Sequence, residues 1–183
     1  MRYLKIILIF LGNLTLLLLF LAGCDMKSKP EEENANSMEL TYEGAVIELK
    51  DEYNEWNLTP TFNYETSSYS GERVIYEVIG KKNSFGITGS FPIVSSKDQK
   101  IFWFYWGKEN IKNQPVKIMA YKKGSEELIK VFSGEFYEGA QINEDEVNMP
   151  SNLRFPTAGV WNLLVYINDE LSGNIVVEVV AGG

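Results

Sequence analysis

The sequence predicts an all-β fold, an antiparallel sandwich that follows a polar linker. Beyond about residue 41 the apolar residues recur mainly at every second position, the period at which side chains alternate across a strand. The runs are short, are broken by Gly, Pro, Asn and charged clusters, and none carries the 3.6-residue period of an amphipathic helix. Short strands without helices bury their apolar faces by closing into a sandwich or a barrel, and a sandwich is the expected form. One globular domain suits a chain of 183 residues once targeting and linker sequence are set aside.

The chain opens with Met1-Arg2-Tyr3-Leu4-Lys5, runs apolar from Ile6 to Leu21, and continues as Ala22-Gly23-Cys24. A basic start, an apolar stretch and small residues before a cleavage point make residues 1–23 a secretory signal peptide. Leu21-Ala22-Gly23-Cys24 resembles the lipobox of bacterial lipoprotein signals. That resemblance implies that Leu21, Ala22 and Gly23 are read by the signal peptidase, and that the Cys24 thiol carries diacylglycerol with acyl chains such as palmitate. An uncleaved spanning helix fits less well, because Gly12, Asn13 and Thr15 interrupt a stretch already near the minimum of about 20 apolar residues. Two acyl chains anchor a protein stably where one binds only marginally. The expected location is the extracytoplasmic face of the cell membrane, held by lipid on Cys24.

Residues 24–40 form a tether. From Asp25 to Ser37 the chain is polar and nearly free of large apolar side chains, so burial cannot offset the entropy lost on ordering. In a host with an outer membrane, Asp25 resembles the enteric signal that retains lipoproteins in the inner membrane; otherwise it is linker. Residues 41–183 are the sandwich domain. Within it, 41–70 read either as an N-terminal arm packed on the sandwich or as an edge strand around Trp56 to Phe62, and Tyr64 to Gly71 reads as a polar loop.

Strands follow at 73–79, 85–94, 101–106, 115–122 and 127–133, with Lys123-Gly124-Ser125 turning between the last two. A short strand at 151–155 meets the corner Pro156-Thr157-Ala158-Gly159. At 160–167, Trp161, Leu163, Val165 and Ile167 share one face; Asn168-Asp169 then offers a tight turn, and 171–179 returns as the partner strand. This order of strand, corner, aromatic-led strand and terminal hairpin resembles the end of immunoglobulin-like domains, without their cysteine pair. The resemblance implies an immunoglobulin-like antiparallel sandwich.

A further resemblance covers most of the chain beyond Cys24. The segment Trp56 to Phe62, Phe85-Gly86-Ile87-Thr88-Gly89, Trp103-Phe104-Tyr105-Trp106-Gly107, and the run from Pro150 through Phe155-Pro156 to Trp161 are similar to an uncharacterised family of lipoproteins from Gram-positive spore-forming bacilli. That similarity implies compartment and fold, and it brings no assigned activity.

Composition excludes several functions. Lys and Arg number 17 against 25 Asp and Glu, and only Arg2 and Lys5 precede Cys24, which leaves 15 against 25, a net charge of −10, beyond it. Such a chain lacks the cations that displace counterions from phosphate, so no nucleic-acid partner is expected. Nor would a basic patch hold it to anionic lipid. There is no histidine, the usual general base and the commonest metal ligand. One cysteine permits neither an internal disulfide nor a cysteine-based zinc cluster. No Gly-x-Ser-x-Gly elbow occurs, and a serine base would have to be a lysine such as Lys97 or Lys122. Paired carboxylates could serve a glycosidase, but no spacing singles out an acid and a nucleophile. The acidic run Asn143-Glu144-Asp145-Glu146, with Glu135 and Glu138, lacks the glycine spacing of a calcium loop and reads as a solvated loop, as do Asp51, Glu52 and Glu55. No cofactor, metal or enzymatic activity is expected.

Ile101-Phe102-Trp103-Phe104-Tyr105-Trp106 stands apart, because alternation must send aromatics to both faces of a strand. One reading buries both faces, beneath the opposite sheet and the N-terminal arm. The other sends one set, Ile101, Trp103 and Tyr105, to the core and leaves Phe102, Phe104 and Trp106 outward, or the reverse; the candidate binding surface is Phe102, Phe104 and Trp106, able to stack on sugars or fill a partner's pocket. The expected function is that of a non-enzymatic binding or adaptor protein of the cell envelope, facing a protein or cell-wall polymer. Two alternatives stand beside it: a proteinase inhibitor or modulator of an envelope enzyme, and a carbohydrate-binding or carbohydrate-processing module.

Overall fold

The computed structural model describes residues 37–68, 70–138 and 147–182. Leu21 to Cys24, most of the tether and the acidic run 143–146 lie outside the described residues. Those described belong to a compact unit, Asn36–Gly183, and form an all-β sandwich. The one helical turn among them is the 3-10 segment Asp51–Tyr53.

The terminal hairpin organises the five-stranded sheet. Asn168 and Asp169 both adopt left-handed backbone (φ 50° and 66°), the type I′ geometry whose twist matches flanking strands. They join β12 (Gly159–Ile167) to β13 (Glu170–Val180). β12 pairs on its other side with β8 (Pro115–Lys122), and β8 with β9 (Leu128–Glu135). The short β6 (Ile93–Val94) adds to β13 in parallel, the one departure from antiparallel pairing between named strands.

The six-stranded sheet contains the remaining long strands. Its order is β10 (Tyr137–Glu138), β11 (Val147–Leu153), β7 (Gln99–Tyr105), β5 (Phe85–Gly89), β4 (Arg73–Gly80) and β3 (Thr61–Ser67). Between the two sheets, period-two alternation brings Phe85, Ile87, Ile101, Trp103 and Met149 against Ile118, Trp161, Leu163, Val165 and Val177. The indole N–H of Trp103 donates to Ser151 Oγ at 2.9 Å and the Ser151 hydroxyl donates to Ile101 O at 3.1 Å, so the core carries no polar debt there.

A third layer lies on the outer face of the five-stranded sheet. β1 (Met38–Tyr42) and β2 (Ala45–Leu49) pair as a hairpin, and Leu40 and Leu49 are buried against Met119, Tyr121, Leu128 and Leu164. Trp56 meets the Tyr121 ring edge-on at 5.0 Å. Thr59 then holds β13 through Thr59 N to Val176 O (3.0 Å) and Val176 N to Thr59 Oγ1 (2.8 Å).

Several sequence expectations are corrected here. Both readings of 41–70 occur, since its first part is a covering arm and 61–67 is an edge strand. Tyr64 to Ser67 is therefore strand rather than polar loop. It looked polar because the inner side of the β3–β4 hairpin is not roofed by the second sheet: Asn63 and Glu65 are exposed, and Ile75 is 54% exposed. The expected strand 85–94 is two strands in different sheets, broken by Ser90-Phe91-Pro92, where proline supplies no ladder N–H. The expected strand 151–155 begins earlier, at Val147. β10 pairs only with Val147 and Asn148, so Pro150 lies where β11 has become an open edge, a place proline tolerates.

Candidate functional site

β7 sends its two aromatic sets to opposite faces. Trp103 and Ile101 point between the sheets, with Tyr105 packed against that core. Phe102 and Phe104 point outward, and Trp106 just past the strand joins them. The N-terminal arm does not cover them, as it packs on the other sheet. Their neighbours come from β3 and β4 instead, where Phe62 pairs across from Val78 and Tyr64 from Tyr76.

The resulting cluster is continuous. Phe104 stacks on Trp106 at 5.5 Å and contacts Phe102 at 5.2 Å, Tyr64 at 5.1 Å and Tyr76 at 5.4 Å. Trp106 also meets Tyr64 at 4.9 Å and Phe62 at 5.7 Å, and the Lys82 ammonium sits 5.4 Å from the Phe62 ring centre. Phe104 is only 1% exposed, so it supports the surface rather than forming it. Phe62, Tyr64, Tyr76, Phe102 and Trp106 remain half-buried. Gly86 makes the tight packing possible: a Cβ there would fall 2.6 Å from Val78 Cγ1 and 2.7 Å from the Trp106 ring.

Beside Phe102 the face deepens into a groove of about 640 Å³. Across three strands, Thr88, Phe102 and Pro150 stand in one row, and Lys100 and Asn152 pair in the next. Tyr76 and Phe132 complete the apolar lining. The Thr88 hydroxyl donates to Glu77 O at 2.7 Å, leaving its oxygen to accept. Lys100 is exposed and forms no ion pair among the described residues.

The opposite outer face carries a different polar cluster. Lys81 Nζ donates to Asn174 Oδ1 (3.1 Å), Asn174 Nδ2 to Asn162 Oδ1 (3.1 Å), and Asn162 Nδ2 to Tyr53 O (2.6 Å) and Tyr121 OH (3.1 Å). Burial pushes the Tyr121 hydroxyl up to about 12, since a phenolate there would lose its water. These groups satisfy one another beneath the arm and hold it in place.

A family described as "Domain of unknown function (DUF4871)" matches residues 47–177. The chain belongs to this family. In this DUF4871 member the matched region contains all six aromatics of the outward cluster and the whole groove. A crystal structure of a Bacillus anthracis protein, provisionally named a lipoprotein, resembles it with a TM-score of 0.51 and 21% identity, covering 68% of this chain and 86% of that one. That likeness concerns the fold. No curated protein matches this DUF4871 chain.

Sequence reasoning reached Phe102, Phe104 and Trp106 but missed Phe62, Tyr64, Tyr76, Thr88, Lys100 and Asn152. The alternation Phe62-x-Tyr64 and Tyr76-x-Val78 was the available signal, and nothing local in it tells which strands lie side by side.

Proposed function

We propose that this chain is a non-enzymatic, lipid-anchored binding protein on the outer face of the cell membrane, and that it engages an envelope partner through the aromatic face of its six-stranded sheet. The observation that carries this reading is the cluster itself: five partly exposed aromatic side chains on a sheet face over which no other described element packs. Contiguous apolar surface of this kind is costly to leave in water and marks interaction sites. Rigid aromatic rings contribute contact area at low entropic cost.

The anchor is supported by the lipobox at Leu21-Ala22-Gly23-Cys24 and by the name given to the similar Bacillus anthracis protein. The thirteen residues 25–37 reach at most about 45 Å when fully extended, so the partner lies close to the bilayer. β1, which follows the tether in sequence, belongs to the hairpin layer on the other side of the sandwich from the aromatic face. The strand order supports an immunoglobulin-like plan, with β5-β7-β11-β10 as A-B-E-D and β13-β12-β8-β9 as G-F-C with one added strand.

The test is capture of the full chain by purified cell envelopes. Phe102→Ser with Trp106→Ser is expected to lower capture at least about tenfold, as loss of two anchor residues does at other interfaces, while Val46→Ser on the hairpin changes nothing. Equal capture by the wild-type chain and the aromatic double variant contradicts the reading. Labelled palmitate should enter the wild-type chain and not Cys24→Ser.

A further inference from the structure

We infer that the groove beside Phe102 is a saccharide subsite for a glycan strand that bears carboxylates; this rests on the binding face proposed above and names its ligand. A sugar ring presents an apolar C–H face and a rim of hydroxyls, so a site for it needs an aromatic floor beside donors and acceptors. The groove has that composition. Phe102 and Tyr76 form the apolar floor, and Thr88, Asn152 and Lys100 stand around it. The Thr88 oxygen accepts from a sugar hydroxyl because its own proton is committed to Glu77 O, while the Asn152 amide both donates and accepts. Its volume of about 640 Å³ lies within the range of small-ligand sites.

Charge decides between a neutral and an acidic glycan. Among the described residues Lys100 is the one charged side chain lining the groove, on a chain whose net charge is −8. Glu77 contributes its side chain to the opposite side of β4, and Asp98 faces Arg154 at 3.4 Å. An ammonium with no ion-pair partner among the described residues, beside a stacking floor, suits a carboxylate carried on the sugar itself. A polypeptide partner fits less well, since protein interfaces centre on Trp and Arg and are depleted in Lys, and this groove contains Lys and neither of the others.

The experiment is calorimetric titration of the full chain in detergent micelles with two tetrasaccharides of equal length. One is a muramic-acid-containing wall fragment with free lactyl carboxylates, and the other is the neutral chitin tetrasaccharide. The wild-type chain is expected to bind the acidic one about tenfold more tightly. Lys100→Met should abolish that preference, and Phe102→Ala should weaken both by about tenfold. Lys100 is exposed, so its variant keeps the fold even where Phe102→Ala does not. A preference that survives Lys100→Met overturns the inference, as does absence of binding to either saccharide. If neither binds while Phe102→Ser with Trp106→Ser still costs envelope capture, the face has another ligand and only the glycan assignment falls. If capture is also unaffected, both fall.

Discussion

Gly86 and Trp106 illustrate how one missing side chain shapes a surface. The Trp106 ring occupies the space a Cβ at 86 would need, and Phe104 stacks on it from the side. Gly86→Val is expected to displace the indole and destabilise the domain by about 1–3 kcal/mol, the usual cost of overpacking, read by chemical denaturation and a red shift in tryptophan emission. An unchanged emission spectrum would mean that the ring is not held there. Tyr121 makes a second residue-scale prediction. Its folded hydroxyl titrates near 12 against 10.0 for the free side chain. The unfolded chain therefore loses this proton first, and the stability it contributes is complete below pH 10 and is lost as pH rises towards 12. Tyr53, Tyr105 and Tyr166 are also raised by burial and add to the same alkaline loss. Thermal midpoints measured from pH 9 to 12 should fall, and fall less in Tyr121→Phe. At this scale, alternation placed Phe102, Phe104 and Trp106 on one face of a strand. It could not choose which face was the core, because both sets are equally apolar; the choice follows from Trp103 finding a buried acceptor in Ser151, many residues away in sequence.

Among the elements, the N-terminal hairpin does most to distinguish this molecule from a bare sandwich. Leu40 and Leu49 are fully buried where β1 and β2 cover the outer side of β8 and β12. Leu40→Ala is predicted to cost about 2–5 kcal/mol, as for other buried leucines, and to raise hydrogen exchange at Tyr121 and Leu164 beneath it. A loss under 0.5 kcal/mol would mean that the hairpin is dispensable. The terminal hairpin was legible as turn and paired strands, because Asn168-Asp169 lies between two alternating runs, while the register shift between Val165 and Tyr166 was not. Two strands were not. β3 was obscured because its inner residues Asn63 and Glu65 face water, which erases the apolar half of the pattern. The β5 to β6 switch was obscured because both segments are apolar on both sides of the break, so composition alone does not mark where the chain changes sheets. β11 began early because proline is read as a strand breaker, and the open edge that admits it is a tertiary fact.

At the scale of the described domain, three layers place the N-terminal hairpin and the aromatic face on opposite sides of the stack: hairpin, five-stranded sheet, six-stranded sheet. Fold class was readable from the sequence because a period of two was sustained along most of the domain. The composition of the outward face was not, since its six aromatics come from three strands that only the sheet order brings together. An acidic chain with such a face is steered by shape and stacking more than by long-range attraction, apart from the local Lys82 and Lys100. The central claim, that the aromatic face is what the protein presents to its partner, is tested most directly by placing a photo-reactive phenylalanine analogue at position 102 or at position 46 and irradiating intact cells. The account predicts covalent adducts with envelope material from position 102 and none from the hairpin position, although Val46 is the more exposed of the two. Adducts from position 46 with none from 102 would contradict it.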